Sequence, residues 1–136
     1  MRLAVSLLLG ALVSLGATAA TSSPHRSHAH HRRLHTQVGV ASYYGVHHAG
    51  RKTASGGRLA PDRLTAASRT LPLGTRATVT NRKNGDSVQV RVTDRGPFAK
   101  NRILDVSPKA ARMLGMTHDG VAPVKVRPVR APAGAR

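Results

Sequence analysis

From Arg76 to Asp94 the chain reads RATVTNRKNGDSVQVRVTD, two stretches in which apolar and polar residues alternate one for one around a turn. A period of two suits a strand buried on one face and scatters its apolar residues around a helix. Asn84-Gly85 in the turn supplies residues that tolerate positive φ, so the stretch predicts a hairpin. Other segments fit the same scheme. GVASYYG (Gly39 to Gly45) has a strand's composition between glycines, RILDV is a further short strand, and GVAPVKVRPV is a last one whose prolines suit a sheet edge. One helix is expected, with Ser107 as cap, Pro108 at the first helical position, KAARML as its body and Gly115 at its end. So many short strands would leave edges exposed unless the sheet closed, which predicts a small, mainly β barrel.

The chain has 136 residues, enough for one ordinary domain. Met1-Arg2, the apolar run LAVSLLLGALVSL and the small residues GATAA read together as a secretory signal peptide over residues 1–19. The run is too short to span a bilayer, so no transmembrane anchor is expected. Residues 20–37 change abruptly to Ser, Pro, Arg and His and read as a disordered linker. The folded domain is expected over 38–127, and a Pro/Ala/Arg tail over 128–136. Five histidines of the linker (His25, His28, His30, His31 and His35) have the donor type for a soft divalent ion. With no carboxylate or cysteine to complete a site, a solvated, pH-sensitive basic tail is the expectation, with no metal site and no cofactor. The leader makes an exported protein, periplasmic or extracellular, the expectation, and the absence of cysteine excludes disulfides and an N-terminal lipid, so a lipoprotein is not expected.

Twenty-two Lys and Arg face five acidic residues, all aspartate, for a formal net charge of +17. Such a chain concentrates on polyanions. For an exported protein these are the glycan strands of peptidoglycan with their peptide carboxylates, and other anionic wall polymers or lipid. Nucleic acid is disfavoured as a partner by the leader and by the scarcity of stacking side chains. Against this background VTDRGPFAKNRILDVS holds two carboxylates, Asp94 and Asp105, eleven positions apart.

GVASYYG, GRKTASGG, LTAASRTLPLGTRATVTNRKNGDSVQVRVTDRGPF and RILDVSPKAARMLGM resemble, in order, the successive blocks of the rare lipoprotein A family of bacterial septal-ring lytic transglycosylases. The resemblance runs from about Gly39 to Val126. It implies a six-stranded double-psi β-barrel with one or two short helices, acting as a monomer. It also implies cleavage of the β-1,4 bond between N-acetylmuramic acid and N-acetylglucosamine without water, leaving 1,6-anhydromuramyl ends. One acid suffices there, because it protonates the leaving oxygen and then, as carboxylate, takes the proton of the C6 hydroxyl that closes on C1. A hydrolase needs two carboxyl groups at a set separation.

Asp94 falls at the aspartate of the family's DRGPF block and is the expected acid and base. Asp105 is expected to tune or position it if the barrel brings the two together. Arg95 is a further candidate for binding substrate, and it points away from Asp94 if that group is to hold a proton. Tyr43, Tyr44 and Phe98 are candidates to line a glycan groove, with at least one of them expected in the core. Thr53, Ser55 and Arg69 are candidates for hydrogen bonds to sugar, and Arg51, Lys52 and Arg58 form a basic loop cluster. Two positions depart from the family pattern: Gly57 stands where an acidic or amide residue is common, and Ser68 where a histidine is. His47 and His48 are expected to face solvent. The aspartate pair at this spacing also resembles the polysaccharide groove of bacterial expansins, so a non-catalytic wall-binding module is the alternative reading.

Overall fold

The computed structural model describes residues 34–132, together with Gly10 and Gly16. The rest of the leader, the linker up to residue 33 with His25, His28, His30 and His31, and residues 133–136 of the tail lie outside the described residues. Six strands follow in order: β1 (Gln37–Tyr43), β2 (Thr65–Ala67), β3 (Arg76–Asn81), β4 (Ser87–Asp94), β5 (Leu104–Val106) and β6 (Val121–Arg130). One α-helix, α1 (Pro108–Met113), precedes β6, and a single 3-10 turn (Val46–His48) follows β1. The strands close into a barrel in the order β1-β5-β2-β4-β3-β6. β1 runs parallel to β5 and β2 parallel to β4, while the other four pairings are antiparallel. No described helix is long and apolar enough to cross a membrane.

The hairpin forms where the alternation places it. β3 and β4 pair from Arg76↔Arg91 to Thr80↔Ser87, and Gly85 takes φ 83° in the connecting loop. Val79, Val88, Val90 and Val92 point inward, with Ala41, Ala66, Leu104, Val106, Val124 and Val126 from the other strands. A six-stranded barrel is narrow, so alanine and valine fill it. Leu71, Leu114 and Met116 complete the core. No aromatic ring is fully buried; Tyr43 is half-buried and packs against the core cluster.

β6 differs from the expected edge strand. It pairs with β1 on one side and β3 on the other, and it continues to Arg130. Antiparallel residues donate toward only one neighbour, so each proline removes one ladder bond at most. Pro128 sits opposite Ala77 at an irregularity where Val129 is skipped, a position that tolerates proline.

The helix is held at both ends by side chains. The Ser107 hydroxyl accepts the Ala110 N–H at 3.2 Å. At the other end Leu114 O accepts the side-chain amides of Asn81 (2.9 Å), the last residue of β3, and Asn84 (3.1 Å) in the hairpin loop. Gly115 turns the chain away with φ 63°, and an added Cβ there would stand 2.8 Å from the Asn84 amide. We expect Ser107→Ala to cost about 1 kcal/mol. Asn81→Ala, which takes one of its two donors from Leu114 O, should cost about 1–3 kcal/mol. Urea unfolding with unchanged m-values checks both.

Candidate functional site

Four residues on four adjacent strands form one row. Ser42 of β1 pairs with Asp105 of β5, Asp105 with Ala67 of β2, and Ala67 with Asp94 of β4. The register puts Asp94 in this row only because of an irregularity. Ala66 pairs with Val92 and Ala67 with Asp94, leaving Thr93 as an extra residue. Along β4, residues 88, 90 and 92 point inward, so strict alternation would aim residue 94 into the core. The bulge turns it outward.

The two aspartates therefore stand two strand spacings apart, roughly 10 Å between Cα atoms. The methyl group of Ala67 lies between them. Asp94 Oδ1 accepts the backbone N–H of Ala54 at 3.0 Å and of Arg95 at 2.9 Å. Its Oδ2 has no hydrogen-bond partner among the described residues. Asp105 is engaged differently: its Oδ1 accepts the Ser42 hydroxyl and lies 3.5 Å from Arg102 Nε. That ion pair lacks hydrogen-bond geometry, since Arg102 Nε is a buried donor without a partner.

These residues line an open cleft of about 550 Å³. Tyr43, Tyr44 and Phe98 all border it, with Phe98 82 % exposed. Arg51, Lys52, Arg95 and Arg102 supply its positive charge, and Leu59 and Ala99 part of its apolar wall. His48 also lines the cleft, with Nδ1 3.4 Å from an Arg51 guanidinium nitrogen, whereas His47 is exposed. Among the described residues no group of three His, Asp or Glu could hold a metal ion.

Two arginines brace the surroundings of the cleft. The Arg95 guanidinium donates to the carbonyls of Ser68 (2.9 Å) and Leu71, turning away from the Asp94 carboxylate although its backbone N–H binds it. Arg69 does not line the cleft: it donates to the carbonyls of Pro97 (2.9 Å), Ala99 (3.2 Å) and Arg102 (3.0 Å). It fastens the segment that carries Phe98. Gly96 enters that segment at φ 124°, a backbone conformation open to glycine, ahead of a cis Gly96-Pro97 bond.

Thr53 and Ser55 lie elsewhere too. Their hydroxyls bond each other at 2.9 Å and border a second cleft, along with Gly57 and Arg58. Ala54 between them holds Asp94, so their loop separates the two clefts. A Cβ at Gly57 would meet only Thr53 Oγ1 at 3.8 Å, leaving room for a side chain. Ser68 is 1 % exposed, and its hydroxyl accepts the N–H groups of Thr70 and Leu71, a turn inside the wall.

Tyr44 in the aspartate cleft has a displaced titration. Burial raises its pKa above the ordinary tyrosine value, opposed by hydrogen bonds to Thr65 and Ser107, with the Asp94 charge adding a further upward push. Its hydroxyl lies 2.8 Å from Thr65 Oγ1. Hydrogen bonds among Tyr44, Thr65 and Ser107 were not legible in sequence, because the three residues meet only through β1, β2 and the start of α1.

Residues 36–126 match the family model described as lytic transglycolase. A probable endolytic peptidoglycan transglycosylase RlpA of Nostoc is 56% identical over 90 residues, which are 65% of this chain and 24% of that protein. The endolytic peptidoglycan transglycosylase RlpA of Neisseria meningitidis is 52% identical over 94 residues, 69% of this chain and 39% of that protein. The chain thus spans less than half the length of these relatives. Among solved structures, the Clavibacter michiganensis expansin superposes with a TM-score of 0.57 at 30% identity, over 74% of this chain and 53% of that one. The Streptomyces papain inhibitor, 23% identical over 71% of this chain and 96% of its own, has a TM-score of 0.58 and shares the fold.

A group neutral in both states at low pH and ionised first in the unfolded chain stabilises the fold below the unfolded pKa and is lost as pH rises through the folded one. Stability should therefore fall above the ordinary tyrosine value of 10.0. We expect this alkaline decline to be shallower in Tyr44→Phe, as read by urea midpoints across pH.

Proposed function

This chain belongs to the lytic transglycolase family, and on that premise we propose that its barrel cleaves the β-1,4 bond between N-acetylmuramic acid and N-acetylglucosamine in peptidoglycan, leaving 1,6-anhydromuramyl ends. The reading rests on one observation: Asp94 stands at a bulged strand end in an open cleft, with one carboxylate oxygen fixed by two backbone donors and the other unpaired among the described residues.

The free oxygen delivers a proton to the glycosidic oxygen as the bond from C1 to that oxygen breaks. The C6 hydroxyl oxygen of the same muramyl residue then closes on C1, and its proton passes to the Asp94 carboxylate. The acid is regenerated and no water is consumed. A single group can serve both steps because the nucleophile belongs to the substrate. Asp105, tied to Ser42 and Arg102 two strands away, positions the glycan instead of exchanging protons with it. Tyr43, Tyr44 and Phe98 offer ring faces to the sugars. Arg51 and Lys52 meet anionic substituents, while Thr53, Ser55, Arg69 and Arg95 act through the walls they hold. The leader read at residues 1–19 directs the chain to the periplasm or the cell exterior, where this polymer is found.

A second reading, a wall-binding module that does not cut, draws on the likeness to the expansin structure. Mass spectrometry of sacculi separates the two. We expect wild-type protein to release anhydromuramyl ends and Asp94→Asn to lose at least about 100-fold of that rate, in line with the worth of a general acid and base. The amide keeps an oxygen to accept from Ala54 and Arg95, so the variant should fold. Wild-type protein that sediments with sacculi yet yields no anhydro ends would favour the module.

A further inference from the structure

The pairings of β4, β3 and β6 set Arg91 opposite Arg76 and Arg76 opposite Arg130. Three exposed arginines thus leave one outer face in a single row, and together they line a depression of about 270 Å³ with Gly74 and Ala131. The next rows along this face are Gln89, Thr78 and Arg127, then Ser87, Thr80 and Lys125. None of these positions is acidic. The described ion pairs engage Lys83, Arg102 and His118, and none includes the row. Arg91 also borders the second cleft, of about 980 Å³, where Arg58 and Arg63 extend the charge. Neither depression shares a lining residue with the aspartate cleft.

Like charges directly opposed on neighbouring strands destabilise a sheet. A row of three without counter-charge is relieved by an anion brought from outside. Opposed residues are about 5 Å apart across each strand pair, so one small anion cannot serve all three. The ligand must repeat its charge along a thread. Guanidinium forks match phosphate oxygens in pairs, and a phosphodiester is ionised at neutral pH. Thr78, Thr80, Ser87 and Gln89 on the same face suit hydroxyl groups between the phosphates. The described aromatics all line the other cleft, so this face has no platform for stacking bases. We propose that the outer face of β4, β3 and β6, centred on Arg76, docks a linear phosphodiester polymer of polyol phosphate chemistry, apart from the cleft that holds Asp94.

The test titrates the full chain with poly(glycerol phosphate), and with poly-glutamate and oligo(dT) of matched charge, at about 0.15 M salt. One variant combines Arg76→Gln, Arg91→Gln and Arg130→Gln. A charge-matched control combines Arg82→Gln, Lys109→Gln and Arg112→Gln, exposed positions outside the face. Poly(glycerol phosphate) should bind tightest, losing at least about tenfold in affinity in the row variant and less than about threefold in the control, with a shallower salt dependence only in the former. Without polymer the row variant should melt higher than wild type, and polymer should raise the melting temperature of wild type alone. Equal losses in the two variants, tighter binding of poly-glutamate or oligo(dT), or a lowered melting temperature of the row variant would each overturn the proposal. Anhydromuramyl release by the row variant should match wild type, so the outcome is independent of the cleft reading.

Discussion

One extra residue in β4 governs what this barrel can present to its surroundings. Val88, Val90 and Val92 alternate inward, and an unbroken strand would carry the next inward position to Asp94. A carboxylate among valines and leucines would be costly to bury. With Thr93 skipped at the pairing of β2 and β4, Asp94 faces outward in line with Ala67, Asp105 and Ser42. The same irregularity places Thr93 O where it accepts the Ser55 N–H, while Asp94 accepts that of Ala54. The loop between the two clefts is thereby pinned at the bulge, so a single skipped residue aims the candidate acid and divides the surface beside it.

Arginine has two distinct uses in this chain. Arg69 and Arg95 spend their donors on backbone carbonyls, each tying together segments far apart in sequence. In a chain without cysteine these multidentate contacts hold loops that a covalent cross-link holds in many small exported domains. The arginines of the outer face make no such bonds among the described residues and are free to answer charge from outside. Net charge alone does not distinguish the two groups.

The local features were legible in the sequence: the alternation that forms β3 and β4, the serine cap of α1 and the glycine that ends it. β2 was not among the strands read from the residues, because three residues carry too little periodicity to register. The prolines of β6 suggested an edge, since nothing in a single strand tells that both its sides are occupied. The eleven-residue spacing of Asp94 and Asp105 did not say that Ala67 would stand between them, which depends on parallel and antiparallel pairings across distant segments. Residue type makes Arg69, Thr53 and Ser55 candidates for sugar contacts, and the structure shows which bonds their side chains make to the protein around the clefts. The opposition of Arg91, Arg76 and Arg130 is a matter of register and bulge, beyond what composition reveals.

The order of strands also dictates when the barrel can exist. β1 finds its neighbours only in β5 and β6, and β2 finds its own in β4 and β5. A chain that grows from its N-terminus thus offers its first two strands no partner until later segments arrive. The first strand pairing open to it is the local β3–β4 hairpin, joined by a short loop. Closure then waits for the last strand, so folding follows completion of the domain instead of accompanying its growth.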